Sequence, residues 1–492
     1  MSPSTAHNSQ RSSPAPLHGR IPTTPLCIDA PQQLPRITPE ARRYAVKELA
    51  RRAGVSQEFF RRWDIQVSGI ETTISLGLET KRQIYFCHGP DAGLTHNLAG
   101  EIPVARAQWL ATPPTDVAPP DLILPFCRSR QNHAPLYQTS ADGSVVCELD
   151  LLASFLLTLS RVEESLRPEV DEHGRFPSTS SLASRERFLE RPILDDHGLA
   201  FSQVLTFLVP GWQPQKPLFR AKLTHDIDDV GLPFDLRSAI AHTLKRHAPS
   251  ATVRDLLGPI LSSDPMNLFL VRKLAKISKE RGLHSAFFWK CSPRAAYDSG
   301  YSLTDQRIQR LIGDLREINF EVGVHPGYDT FHHRENLARE IAELKAAIQE
   351  DFPGGRQHYL RWTPESWLDW ESCGLRYDSS VGFADHIGFR AGTSFPFRPW
   401  CWAENRELNL IEVPLILMDC TPVKYMRLDL QEGLERVRAL IRRVEQTGGV
   451  FTLLWHNTPL MDPDYDGWYE SVLDLLSGAK AYEVPWLAAN LW

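Results

Sequence analysis

From Leu218 to Trp492, short apolar runs alternate with segments whose apolar residues share one helical face. Strand-like runs read at Leu218–Leu223, Ser285–Trp289, Phe320–Val324, Gln357–Leu360, Leu375–Tyr377, Leu410–Met418 and Val450–Trp455. Between them Leu337, Ile341, Leu344 and Ile348 line up on one helical face, as do Leu430, Leu434, Val437, Ile441 and Val444. Strand followed by helix, repeated, covers both faces of a parallel sheet. This predicts an α/β chain with a parallel barrel or a closely related fold, whose functional groups gather at the C-terminal ends of strands.

Polar clusters fall where those strands end: Thr224-His225-Asp226-Ile227-Asp228-Asp229, His325, Arg356-Gln357-His358, Asp378 and His456-Asn457. Each alone is ordinary, since Asp after a strand often caps a helix and a lone His is often a core residue. Together they suggest one site. Asp226 and Asp228 stand two apart, so in extended backbone they leave the same side, one to hold a metal and the other a water. Hydrolytic zinc-like ions take about three Asp, Glu or His ligands and leave a position for a water whose pKa falls toward ~7. His325, exposed by the strand stop Pro326-Gly327, reads as a ligand. His456 has no second ligand-type residue at close spacing and reads as a general acid, with Trp455 and Trp362 as shields against water.

At 492 residues the chain exceeds what one hydrophobic core usually serves, so two folded units are expected. Val209–Pro217 carries three prolines and a glycine and is taken as the connection. The expected division is a Ser/Pro-rich tail (1–35), a separate N-terminal α+β accessory domain (36–208), a linker (209–217) and a catalytic domain (218–492). A net charge of -6 without a Lys/Arg block excludes the footprint of a nucleic-acid binder. Eight scattered cysteines with no CxxC pair read as buried free thiols. The first residues lack the apolar stretch of a secretory signal, and the longest apolar run, Leu151–Leu157, is far below the ~20 residues of a membrane span. A cytoplasmic location without a membrane span is the expectation; the oligomeric state is not legible.

With these residues in order, the chain from Leu218 onward resembles the NodB-homology polysaccharide deacetylases, carbohydrate esterase family four. The resemblance implies a NodB-type distorted (β/α) barrel. It also implies a metal-dependent hydrolase removing N-acyl groups, first of all N-acetyl, from a carbohydrate or sugar precursor in surface-polysaccharide metabolism. Asp226 and Asp228 resemble the family's Asp-x-Asp motif, giving Asp226 as base and Asp228 as ligand, with Asp229 in reserve. His325 matches the first His of a His-x-x-x-His motif whose second position is here Asp329. The third ligand is then His358, preferred because imidazole is the commonest metal ligand, or Asp329. Arg356 inherits the role of steadying the base, and Asp378 that of an acid tuning the network. His456 in Leu-Trp-His-Asn protonates the leaving amine.

Asp378, Arg361, Trp455 and Arg390 are the candidates for substrate contact, Arg390 equally for a structural salt bridge. Asp171–Phe176, Arg191–Ile193 and Gly388–Thr393 resemble a subgroup with an extra N-terminal domain. The implied cofactor is a divalent ion, zinc first, then cobalt, nickel or another. Two other readings stay open: a metal-dependent hydrolase of a non-sugar amide on the same fold, and an inert carbohydrate-binding or scaffold protein, motivated by the missing second histidine.

Overall fold

Ser285–Trp289 (SAFFW) and Val450–Leu454 (VFTLL) are apolar or small at nearly every position and buried throughout, as strands covered on both faces must be. In the computed structural model, described for residues 35–77, 81–89, 102–110, 121–127, 133–166, 169–215, 218–231, 265–477 and 480–481, they belong to one parallel sheet. The tail through residue 34, with Cys27, and residues 482–492 lie outside the described residues.

The sheet is built from β1 (Arg220–Ile227), β2 (Ser285–Trp289), β3 (Glu321–Val324), β4 (Gly354–Gly355), β5 (Tyr377–Asp378), β6 (Ile411–Glu412), β7 (Leu417–Met418) and β8 (Val450–Leu454), with a two-residue strand, Lys480–Ala481, also paired parallel to the start of β1. Their order is β6-β5-β4-β3-β2-β1-β8-β7, and each pairing is parallel. The two edge strands, β6 and β7, are joined by residues 413–416 alone. The Val413 N–H donates to the Asp378 carbonyl and the Ile416 N–H to the Thr452 carbonyl, so this short link curls the sheet into a half-barrel. Helices Gln306–Glu317, Arg334–Ile348 and Leu430–Thr447 alternate with the strands, each burying the apolar face its spacing defines. The last is capped by the Asp429 side chain and ends at Gly448 in the left-handed conformation.

Three local expectations are corrected. Leu410–Met418 is not one strand but two, on opposite edges of the sheet. Gln357–Leu360 is a tight turn, with Tyr359 and Leu360 at φ of 60° and 55°, and the strand there is Gly354–Gly355. β1 runs on through Ile227, so Thr224, His225 and Asp226 lie within it rather than beyond it.

Before residue 210 two further sheets form. Asp64–Val67, Glu71–Ser75, Gln83–Cys87, Val145–Cys147 and Tyr137–Thr139 pair in that order, and Leu122–Pro125, Val104–Gln108 and Ala134–Pro135 make the second. These sheets are their own, but one apolar cluster contains residues of both halves. Buried polar bonds cross as well: Arg390 donates to Glu164 at 2.6 and 2.9 Å, and Ser394 donates to Asp195 through N and Oγ. The seven described cysteines are free, three buried and four half-buried rather than all buried. Leu151–Leu159 is a short buried helix, and no described helix is long and apolar enough to cross a membrane.

Gly355 is what lets β4 lie against β3, because a Cβ there would overlap the Val324 carbonyl oxygen. Gly355→Ala is expected to cost about 1–3 kcal/mol, the scale of overpacking. Gly313→Ala, in a helix with open space around the position, is expected to be neutral or to stabilise by ~0.5–1 kcal/mol. Denaturant midpoints of the two variants check both signs.

Candidate metal centre

Because every strand of the half-barrel points the same way, their C-terminal ends share one rim. Asp228 follows β1, Lys290 follows β2, His325 follows β3 and His358 sits in the turn after β4. Asp228, His325 and His358 each offer a ligand atom within 4.8 Å of the others. His325 Nδ1 lies 2.7 Å from the Arg356 carbonyl. A carbonyl only accepts, so Nδ1 carries the proton and the bare Nε2 faces Asp228 Oδ1 at 3.1 Å. Neither of those atoms has a hydrogen-bond partner, although both are buried. His358 is set up similarly: Nδ1 is 2.9 Å from Asp298 Oδ1, and Nε2 is 3.3 Å from Asp228 Oδ1. Two lone pairs turned toward a carboxylate, each imidazole oriented by a second acceptor, form a donor set that fits a divalent cation.

The electrostatics agree with that fit. Burial lowers the pKa of His358, favouring the neutral imidazole that ligation needs. Burial opposes charge on Asp228, yet the adjacent His358 and His325 hold its carboxyl well below the usual range. Asp298 behaves likewise, its burial outweighed by His358 and Lys290, whose ammonium is 2.5 Å away. Lys290 also stands 3.9 Å from Asp228 Oδ1 and 3.2 Å from His358 Nδ1.

Two further groups complete the rim. Arg356 is fully buried and donates to Asp226 Oδ1 at 3.0 Å, to Thr224 Oγ1 at 2.8 Å and to Ser379 O and Oγ at 2.8 and 2.9 Å. His456 donates through Nδ1 to the Asp419 carboxylate at 3.0 Å, and its Nε2 is 3.6 Å from Asp228 Oδ2. Burial disfavours the charged imidazole, but Asp419 outweighs it by charge and hydrogen bond and lifts the His456 pKa to about 10. Asp226, Asp228, Lys290, His325, His358 and His456 open on a cavity of about 270 Å³, whose walls also include Tyr297, Tyr359, Tyr425 and Arg175.

Other expected site residues lie elsewhere. Asp329 is exposed and outside the ligand cluster. Asp229 lines the cavity but accepts from Gly231 N and Asn267 Nδ2, which order the loop after β1. Trp455 packs against Tyr469 in the core, Trp362 against Trp367, and neither reaches the cavity. Asp378 is wholly buried, with burial pushing its pKa up to about 7, and it bonds Ser380 rather than facing substrate space. Arg390 is held by Glu164 as a structural pair. Arg361 lies flat over Tyr328 and donates to the His173 and Tyr328 carbonyls, bracing a loop instead of lining the metal-centre cavity. Sequence reasoning missed Asp419, Lys290 and Asp298. The first two directly follow β7 and β2, so the strand-end rule applied to every strand would have found them; Asp298 had no such signal.

A family model described as a family of unknown function (DUF7033) matches residues 33–210. No curated protein matches the chain in sequence. Similar solved structures include a candidate polysaccharide deacetylase from Mycobacterium smegmatis, at 16% identity over 57% of this chain and 92% of that one, with a TM-score of 0.37. A probable polysaccharide deacetylase from Pseudomonas aeruginosa PAO1 shows 14% identity over 57% and 93%, with a TM-score of 0.36. An allantoinase shows 12% identity over 57% and 92%, also with a TM-score of 0.36.

The donor set makes a direct expectation for metal binding. Asp228→Asn and His358→Ala should abolish high-affinity zinc binding in calorimetric titration, whereas Asp226→Asn should retain it. Asp298→Asn should weaken it about 10–100-fold, the scale of losing an outer partner. Full zinc occupancy in Asp228→Asn would refute the ligand set.

Proposed function

We propose that the chain is a metal-dependent hydrolase that removes N-acetyl groups from a carbohydrate or sugar precursor in surface-polysaccharide metabolism, acting in the cytoplasm. The observation that carries this reading is the convergence, in one cavity, of three ligand-type side chains with an Arg-held carboxylate and an Asp-held imidazole. Amide hydrolysis needs that combination, because water must lose a proton on attack and the amine must gain one to leave. The carbohydrate class is supported by the sequence resemblance and by the tyrosine-rich walls of the cavity.

A divalent ion held by Asp228, His325 and His358 would supply Lewis acidity toward the acyl carbonyl and lower the pKa of water. Asp226, fixed by Arg356, accepts the proton of the attacking water through its carboxylate. Arg356 is buried and engaged on four sides, so it keeps Asp226 in one orientation instead of entering the reaction. His456, kept cationic by Asp419, donates its Nε2 proton to the departing nitrogen. The Tyr297 and Tyr359 rings exclude bulk water from one wall of the cavity.

The test is acetate release from an N-acetylated chito-oligosaccharide by the zinc-loaded protein, its loss on chelation and its return with metal. No acetate from any N-acylated glycan, with zinc bound, would overturn the proposal. Asp226→Asn should bind zinc but lose about 10²–10⁴ in kcat, the usual scale of acid-base assistance. Asp419→Asn tests the acid. Because Asp419 raises the His456 pKa by charge and hydrogen bond, removing that carboxylate should move the alkaline limb of the kcat profile to lower pH. An unmoved limb would remove His456 from the acid's role.

A further inference from the structure

A second cavity, of about 390 Å³, adjoins the first and shares Arg175, Leu360 and Tyr425 with it as walls. Only together do the two reach the middle of the roughly 300–1,000 Å³ range typical of ligand sites. Both halves of the chain build the second one: Asp171–Pro177 on one side, Gly382–Asp385 on the other. The N-terminal loop is fixed in place there. Ser178 donates to the Asp385 carboxylate through N and Oγ at 3.1 and 2.9 Å, and Arg361 Nε donates to the His173 carbonyl at 2.8 Å. Arg175 donates to Asp171 at 2.7 Å and reaches the Tyr359 carbonyl at 3.4 Å.

The charges of this cavity define what it can hold. Its two guanidiniums are already paired, Arg175 with Asp171 and Arg390 with Glu164. Asp385 adds a carboxylate engaged by Ser178, and Glu172 adds an exposed one. Among the described lining residues no cation is left for a phosphate. A diphosphate would meet net negative charge. Leu360, Ala384, Phe176 and the half-exposed ring of Tyr425 instead offer apolar surface beside acceptors. A sugar ring matches this surface, with its C–H face for the apolar wall and its hydroxyl or amine edge for the carboxylates.

We infer that the second cavity is a subsite for a neutral or amino sugar joined to the residue that is deacylated, so that the substrate is an oligosaccharide of two or more units and not a nucleotide-linked monosaccharide. The inference rests on the deacetylase reading of the metal end. It gives the segment 171–177 the role of a specificity wall.

The test is binding to full-length, zinc-loaded Asp226→Asn protein, in which turnover is slowed about 10²–10⁴-fold, by NMR titration with N-acetylglucosamine, its β-1,4-linked disaccharide and UDP-N-acetylglucosamine. The disaccharide should bind at least about tenfold tighter than either monosaccharide form, a gap of about 1.4 kcal/mol. Ala384→Phe, which fills only the second cavity, and Tyr425→Ala, at an exposed position, should each shrink that ratio toward one while zinc binding persists. Equal affinity for monosaccharide and disaccharide, or tightest binding of the nucleotide sugar, would overturn the subsite. Tight disaccharide binding without acetate release by the zinc-loaded wild type would support the subsite and sink the deacetylase reading. Acetate release at equal kcat/KM from mono- and disaccharide would do the reverse.

Discussion

One buried guanidinium ties the working end of the half-barrel together. Arg356 bridges β1, through Thr224 and Asp226, and the segment after β5, through Ser379. Its own carbonyl accepts from His325 Nδ1, so the same residue that orients the proposed base also fixes the tautomer of a candidate ligand. Burying a charge so completely is costly unless each of its donors is answered. Four short bonds engage all three of its nitrogens, and Gly355 just before it brings the segment close enough to β3 for the His325 contact to form.

The charges around that guanidinium explain why the site suits a cation. Four carboxylates, Asp226, Asp228, Asp298 and Asp419, face three cationic groups, Lys290, Arg356 and His456. Behind them Asp378 and Glu412 are wholly buried. Burial raises both pKa values, Asp378 to about 7 and Glu412 well above the usual range with Asp378 adding to it, which limits the charge they contribute. The rim is thus slightly anionic without an ion and would be slightly cationic with a divalent one. That second state would suit the proposed hydrolysis, in which a carbonyl oxygen is polarised and water gives up a proton. Lys290 pairs with Asp298 and so lowers the charge that the outer carboxylate would otherwise impose on His358.

Much of this was readable because parallel strands end on one rim and the apolar runs mark where they end. Asp226, Asp228, His325, Arg356, His358 and His456 all lie at such ends. The errors have equally local causes. Successive side chains near a strand end point in opposite directions, so Trp455 turns into the core while His456 turns to the cavity, and composition treats the pair alike. A two-residue strand such as Gly354–Gly355 has no periodicity, and Gln357–Leu360 imitates a strand while its backbone enters the left-handed region. Such strain is held only where the surroundings over-determine it, and here it aims His358 inward. The N-terminal half was opaque because helix Leu151–Leu159 is buried on all sides and its strands are short, leaving little contrast between faces.

The same half nevertheless bears on the chemistry through its joint with the barrel. The Gly388–Thr393 stretch is where the halves meet: Arg390, read as a substrate contact or equally as a structural salt bridge, pairs with Glu164, and Thr393 and the following Ser394 donate to Asp195. Parting the halves would break the buried Arg390–Glu164 pair and strip Asp195 of its Thr393 and Ser394 donors, although Glu164 would keep Arg161 and Asp195 would keep Arg52 within the N-terminal half. The loop carrying His173 and Arg175 is anchored across the same joint by Arg361 and Asp385. A wall anchored by the half-buried Arg361 and Asp385 does not have to be ordered when ligand arrives, so less binding free energy is lost to immobilising it. The proposed substrate would therefore meet a preformed surface on both sides of this cleft, one from each half of the chain.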